Sequence, residues 1–333
     1  MSALRQFLAQ SRAVQVLLIN ERTIFLSFYL TGLAGALFGP ALRAYLAAAS
    51  SGRRAEVFAL ANLAGQIDTL LGPPVGVVRL AFSFRLVCVA ARVIFLGLML
   101  LQFRYLPRRA DLLAETPRPV LRDWSEVLAN RGFVRFAAVM LAYSVLLSQE
   151  YLTLPLEARR ATGNDMAVGS LFVLSSILAI VGQVRVTAWC EARYRPPEAV
   201  ALGLALMTLA FAAPLVSALA GHVDPTERPA PTLGRLAPTL VAMTCLTVGA
   251  MVASPFAMAM VPRFGRDRLI ATYFGFFAMA GGIGSTLGSA LVGAALDAQS
   301  RPGLAGLPWG IMFALGSGAV VTLRHLDRRG LFT

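Results

Sequence analysis

Nine long apolar runs, parted by short polar loops, constrain this chain more than any other feature. They fall at about Ile24–Ala48, Glu56–Leu80, Phe84–Leu106, Phe133–Leu156, Met166–Trp189, Glu198–Ala220, Leu236–Val261, Leu269–Leu296 and Pro308–Leu323. About 20 apolar residues in a helix cross the roughly 30 Å hydrocarbon core of a bilayer. With 57% hydrophobic and only 14% charged residues among 333, there is too little charge to cover a soluble domain of this size. The pattern predicts an all-α fold, a polytopic transmembrane helical bundle of about nine spans.

One span is chemically distinct. The run EVFALANLAGQIDTLLGPPVGVVRL (Glu56–Leu80) carries Asp68 near its middle and then Gly72, Pro73, Pro74 and Gly76. An ionised carboxylate at the bilayer centre costs about 2.5–3.5 kcal/mol on insertion scales, so it is expected to face protein or water. The Gly/Pro run lets a neighbouring backbone approach closely and bends the helix, which a membrane bundle tolerates because neighbours re-satisfy the freed carbonyls. A plain anchor needs none of these features; a transport bundle does. Arg92, in the adjacent antiparallel span, falls within roughly a helical turn of the same depth, and an Asp68–Arg92 pair is expected.

Net charge is +13, and all 30 basic residues are Arg. They lie between apolar runs, as loop charges do. A nucleic-acid binder would cluster them on one face or arm. One set of alternate loops, with Arg53, Arg54, Arg193, Arg195, Arg263, Arg324, Arg328 and Arg329 among its members, holds 17 Arg; the opposite set, including Arg159, Arg160, Arg235 and Arg301, holds 7. The positive-inside rule puts the richer side, and the C-terminus, in the cytoplasm of a bacterial-type plasma (inner) membrane. Arg43 and Arg185, near span ends, are expected to snorkel to the interface.

Cys88, Cys190 and Cys245 form no disulfide framework, and His222 and His325 lie far apart, so no metal spacing is present. There is no phosphate loop and no nucleophile elbow. No enzyme activity, metal, cofactor or ATP-driven step is expected of this chain.

The order of segments resembles a known family. LTGLAGALFGPALRAYL (Leu30–Leu46), GRRAEVFAL, a Gly-Pro helix and FSFRLVC (Phe82–Cys88) are similar to helices four to six of the major facilitator superfamily, in its multidrug-resistance, drug:proton antiporter branch. NRGFVRFAAVMLAYSVLLSQEYLTLPLEARR resembles helix seven and its outer loop. GQVRVTAWCEARYRPPEAVALGLALM resembles helix eight, the next basic loop and helix nine. ATYFGFFAMAGGIGSTLGSALVGAALD resembles helix eleven. The antiporter signature of helix five, gxxxGPxxGG, matches in part: Gly72, Pro73 and Gly76 are in place, while Asp68 and Val77 stand at two glycine positions. The family has twelve helices in two halves of six, so the resemblance implies that about the first three are absent here, with the GxxxDRxGRR loop that joins helices two and three.

The resemblance implies this division: an N-terminal juxtamembrane segment (1–23), a partial N-terminal bundle of three spans (24–106), a cytoplasmic connecting loop (107–132) with a surface helix from near Asp123, a C-terminal six-helix bundle (133–325) and a tail (326–333). It implies secondary active transport of a small amphiphilic compound, with the proton as coupling ion; the alternative is an N-terminally truncated, transport-inactive relative or membrane scaffold. Coupling needs an acid that changes protonation as a cavity wets and dries, and Asp68 and Glu150 are the acids placed well inside spans. Gln149, Tyr143 and Tyr151 are candidates to line a cavity for amphiphilic cations, with aromatic faces supplying cation–π attraction. Gly281, Gly284 and Gly288 read as a helix-packing motif, and Glu191 with Arg193 as a cytoplasmic latch.

Overall fold

Most of the chain is helical in the computed structural model, which describes residues 21–50, 52–80, 84–105, 120–219, 232–265, 269–299, 301 and 303–332. Within those, twelve helices occur and no strand: α1 (Glu21–Ala49), α2 (Arg54–Leu80), α3 (Phe84–Tyr105), α4 (Val120–Ala129), α5 (Arg131–Ser148), α6 (Thr153–Thr162), α7 (Asp165–Glu191), α8 (Pro196–Leu209), α9 (Ala212–Leu219), α10 (Thr232–Phe264), α11 (Ile270–Ala298) and α12 (Leu307–Arg328). Most of the N-terminal segment and the first part of the connecting loop (106–119) lie outside the described residues. The surface helix expected from Asp123 is α4, which begins three residues earlier. It rests Trp124 edge-on against Phe276, with ring centroids 5.2 Å apart.

Seven segments among the described residues are long and apolar enough to cross a membrane: Gly32–Ala49, Arg131–Thr162, Met166–Glu191, Pro196–Leu219, Gly234–Phe264, Ile270–Ala298 and Leu307–Arg328. The remaining two predicted spans are present as α2 and α3.

Two runs expected to be single helices are broken, each beside a proline. The run from Phe133 stops at Ser148 and resumes at Thr153 as α6, two residues before Pro155. Proline lacks the N–H that an α-helix needs and crowds the carbonyl four residues back. The chain responds with i→i−3 bonds, Gln149 N to Leu146 O at 3.2 Å and Glu150 N to Leu147 O at 3.1 Å. A wide i→i−5 bond, Leu154 N to Gln149 O at 3.1 Å, re-enters the helix. The second break separates α8 from α9 at Ala210–Phe211, and Pro214 follows it.

Tight crossings organise the rest. On α8 and α10 a Cβ built at Gly203 would stand 2.6 Å from Gly249 O, and one at Gly249 would stand 2.7 Å from Gly203 O. Only glycine permits that approach, and close approach matters in lipid, where apolar burial does not drive helices together. On α5 and α11 a Cβ at Gly288 would lie 2.5 Å from Val145 Cγ1, and one at Gly284 would lie 3.0 Å from Leu141 Cδ2. The helix α10 packs along α8, α7 and α2; α5 packs along α11 and α12; α1 lies on α11. Asn130 fixes the start of α5. Its Oδ1 accepts from Phe133 N at 3.1 Å, and its Nδ2 donates to Phe264 O at 2.8 Å and to the Tyr273 hydroxyl at 3.1 Å.

Candidate functional site

The break in α5 sets Glu150 inside the protein. Its Oε1 accepts from Ser175 Oγ on α7 at 2.9 Å, and Ser175 Oγ in turn lies 3.0 Å from Thr247 Oγ1 on α10. Glu150, Ser175 and Thr247 are all buried. Among the described residues no basic side chain forms an ion pair with Glu150. The acid is therefore held by hydroxyls alone, at the meeting of three helices.

Gln149 spans the break itself. Its Nε2 donates to Val145 O at 2.8 Å, and its Oε1 accepts from Thr153 Oγ1. Fully buried, its amide binds the ends of α5 and α6 to each other. Tyr143, one helix face away, is buried among Ser254 of α10, Glu150 and Arg43 of α1. Arg43, expected at the interface, is half-buried beside Tyr143. From α2, Asn62 Nδ2 donates to Ser254 Oγ at 3.0 Å. One polar centre thus takes side chains from α1, α2, α5, α7 and α10.

Beside it, a cleft of about 540 Å³ opens between α5 and α11, lined by Ser144, Ser148, Ser285, Ser289, Gly281 and Tyr151, with other residues of the two helices. Its walls touch where Ser289 Oγ comes within 3.4 Å of Ser148 Oγ. Tyr151 is exposed and stacks on Phe172, ring centroids 5.6 Å apart. Gly281, Gly282, Ser285 and Ser289 line the cleft from α11, on the same stretch as the packing glycines Gly284 and Gly288.

Several predicted residues lie elsewhere. Asp68 and Arg92 are both exposed, and no ion pair joins them among the described residues. The side chains of Gly72, Pro73 and Gly76 lie outside the described residues, although the backbone there is helical as part of α2. Glu191 and Arg193 do not pair. Arg193 lies over the Trp189 ring, 4.9 Å from its centroid, while Glu191 lines a cavity of about 270 Å³ with Arg54 and Arg263. Ion pairs at this end join Arg195 to Asp327 of α12 at 2.9 Å and to Glu198 at 3.1 Å, and Arg53 to Glu56 at 2.6 Å. The hydrogen bond that Arg195 donates to Glu198 and the charge of Asp327 hold its guanidinium above its ordinary range. At the other end Arg160 and Arg235 share a cavity of about 310 Å³ with Glu157. The described arginines of each cavity thus belong to one set of alternate loops.

Sequence reasoning did not single out Ser175, Thr247, Ser254 or Asn62. Hydroxyls inside apolar helices are common, and most bond the carbonyl one turn back, as Thr208 does to Leu204 O at 2.7 Å. Only the fold distinguishes those that also reach another helix. Among the described residues no group of three or more His, Cys, Asp or Glu could hold a metal ion.

A polar centre thus lies inside a bundle of apolar helices, flanked by a cleft. A family model of the Major Facilitator Superfamily matches residues 11–324. The chain belongs to the major facilitator superfamily. This major facilitator protein is 33% identical over 300 residues to an uncharacterised MFS-type transporter of Mycobacterium tuberculosis, covering 89% of this chain and 70% of that one. It is 27% identical over 295 residues to the multidrug resistance protein MdtH of Klebsiella pneumoniae, covering 88% and 69%. To MdtH of Cronobacter sakazakii it is 25% identical over 303 residues, covering 90% and 70%. It is an MFS transporter, a multi-pass membrane protein acting on a small molecule, and membership of the family points to transport rather than catalysis.

Proposed function

We propose that this transporter exports small amphiphilic cations in exchange for protons, and that Glu150 carries the exchanged proton. The observation behind this reading is the setting of Glu150: buried, at the break between α5 and α6, and held by Ser175 with no ion pair among the described residues. An ionised carboxylate in such a place lacks the pairing that makes a buried charge affordable. A proton removes that penalty when the cavity is closed. An organic cation, or water, removes it when the cavity is open. Proton and substrate therefore compete to neutralise one group, which is the physical content of antiport.

The neighbouring cleft supplies the other half of recognition. Ser144, Ser148, Ser285 and Ser289 offer hydroxyls, and the exposed ring of Tyr151 offers a π face. A cationic head with an apolar body fits such a lining through cation–π attraction and weak hydrogen bonds. The likeness to two MdtH proteins named for multidrug resistance supports the same substrate class. Movement would be a rocking of the helices of 24–106 against those of 133–325 about this site. The Asn62–Ser254 bond joins α2 to α10 and would be remade in each cycle. The arginine-rich end, with Arg54, Arg195, Arg263 and Arg328, faces the cytoplasm on this reading, and with it the C-terminus.

The test is uptake of tetraphenylphosphonium by proteoliposomes under an imposed pH gradient. Accumulation that collapses when an ionophore dissipates the gradient is expected. Accumulation indifferent to the ionophore, or none above empty liposomes, contradicts the reading.

A further inference from the structure

A further cavity, separate from the polar centre, runs between α5 and α12. It has a volume of about 730 Å³ and is walled by Val139, Leu141, Val145, Ala314, Leu315 and neighbouring residues of the same two helices. That lies inside the about 300–1,000 Å³ range of small-molecule sites. Its walls are almost wholly apolar. The polar groups in its lining are the Arg135 side chain at one end and the Thr322 hydroxyl near it. Where Gly318 lines it, a Cβ would meet nothing within 4 Å, so the space is open at the backbone.

Length and charge together identify an occupant. From Arg135 to Val145 the groove follows ten residues of α5, about 15 Å at 1.5 Å per residue. That equals the hydrocarbon depth of one leaflet, half of roughly 30 Å. The groove ends at Arg135, one helical turn from Arg131; the C-terminal end of α12, which reaches the same place through Thr322 and Leu326, carries Arg324, Arg328 and Arg329, and all five arginines are exposed. The acid of the last turn of α12, Asp327, is engaged by Arg195. Among the described residues no carboxylate pairs with Arg135, Arg324 or Arg328. An apolar trough one leaflet deep, closed at the interface by unpaired arginines, is complementary to an anionic lipid. It repels an organic cation at the same end.

We propose that the α5–α12 groove is a binding site for one anionic phospholipid, with an acyl chain laid along Val139–Val145 and Gly318 and the phosphate at Arg135. Arginine matches phosphate geometry with two parallel donors, and basic pockets between membrane helices hold anionic head groups in this way. The site stands apart from Glu150 and does not depend on the transport reading. A lipid seated there braces the helix that carries the break at Gln149–Leu152.

The test is native mass spectrometry of the detergent-purified chain incubated with equal amounts of phosphatidylglycerol and phosphatidylcholine bearing identical chains. The wild type is expected to retain one phosphatidylglycerol with at least fivefold preference. Arg135→Gln is expected to abolish the preference. Gly318→Leu, which fills the trough, is expected to lower retention of both lipids at least fivefold while leaving the melting temperature in detergent unchanged. Ala314→Leu fills the same trough from an exposed position and serves if Gly318→Leu does not fold. Equal retention of the two lipids by the wild type, or undiminished phosphatidylglycerol on Arg135→Gln and on the filled variants, overturns the proposal. A wild-type dimer that Gly318→Leu or Ala314→Leu converts to monomer also overturns it, by assigning the groove to a second copy of the chain.

Discussion

Gln183 on α7 donates its side-chain amide to Met251 O on α10 at 3.1 Å, and Met251 is four residues before Pro255. Proline has no N–H to give that carbonyl. Gln183 therefore supplies from a neighbouring helix the donor that α10 cannot supply to itself. It is 2% exposed, and Ser254, the partner of Asn62, directly precedes the proline. Pro255 and the polar centre thus meet at one place on α10.

Gln183→Leu leaves a buried carbonyl unpaired and is expected to destabilise the protein by about 1–3 kcal/mol. Pro255→Ala restores the missing N–H, so in the double variant the loss from Gln183→Leu should shrink by about half or more. A double-mutant cycle on unfolding in mixed micelles measures the coupling. Strict additivity would show that the Gln183 bond does not serve the proline.

Gly203 and Gly249 face each other across α8 and α10. A methyl at either meets backbone rather than a movable side-chain end, so Gly203→Ala and Gly249→Ala should each cost about 1–3 kcal/mol. Gly275→Ala on α11, where a Cβ meets nothing within 4 Å, is the control and should be neutral or slightly stabilising. Equal melting temperatures for all three variants would contradict the packing described.

Gly288→Ala drives a methyl into Val145, where the nearest atom stands 2.5 Å away. Here the obstacle is a side chain, so Val145→Ala should rescue it. Stability and substrate exchange should fall together in Gly288→Ala and recover together in the pair. Recovery of stability without recovery of exchange would mean that α11 contributes more than packing.

The legible part of this molecule is what helical period and apolar length control. The spans are readable because a bilayer fixes their length, and Gly281, Gly284 and Gly288 are readable because they recur at helical spacing along one run. Glu150 is readable because an acid inside an apolar run is rare. The expected Asp68–Arg92 and Glu191–Arg193 pairs are not among the described ion pairs, and one reason covers both: depth and separation along the chain do not fix the face of the helix on which a side chain emerges. The α5 and α8 breaks were missed because Pro155 and Pro214 lie near run ends, where proline also fits a simple stop. The Gly203–Gly249 contact and the Ser175–Thr247 pair join residues of different spans, and no local pattern announces them.

The central claim is that Glu150 carries the coupled proton, and substrate-driven proton movement in proteoliposomes tests it most directly. With wild-type protein, a tetraphenylphosphonium gradient should move protons in the opposite direction, read by a pH dye inside the vesicles. Glu150→Gln keeps the shape and the hydrogen-bonding reach to Ser175 but holds no exchangeable charge. It should move protons at least tenfold more slowly per unit of substrate gradient and bind the cation more weakly. Proton movement by Glu150→Gln at the wild-type rate would contradict the account.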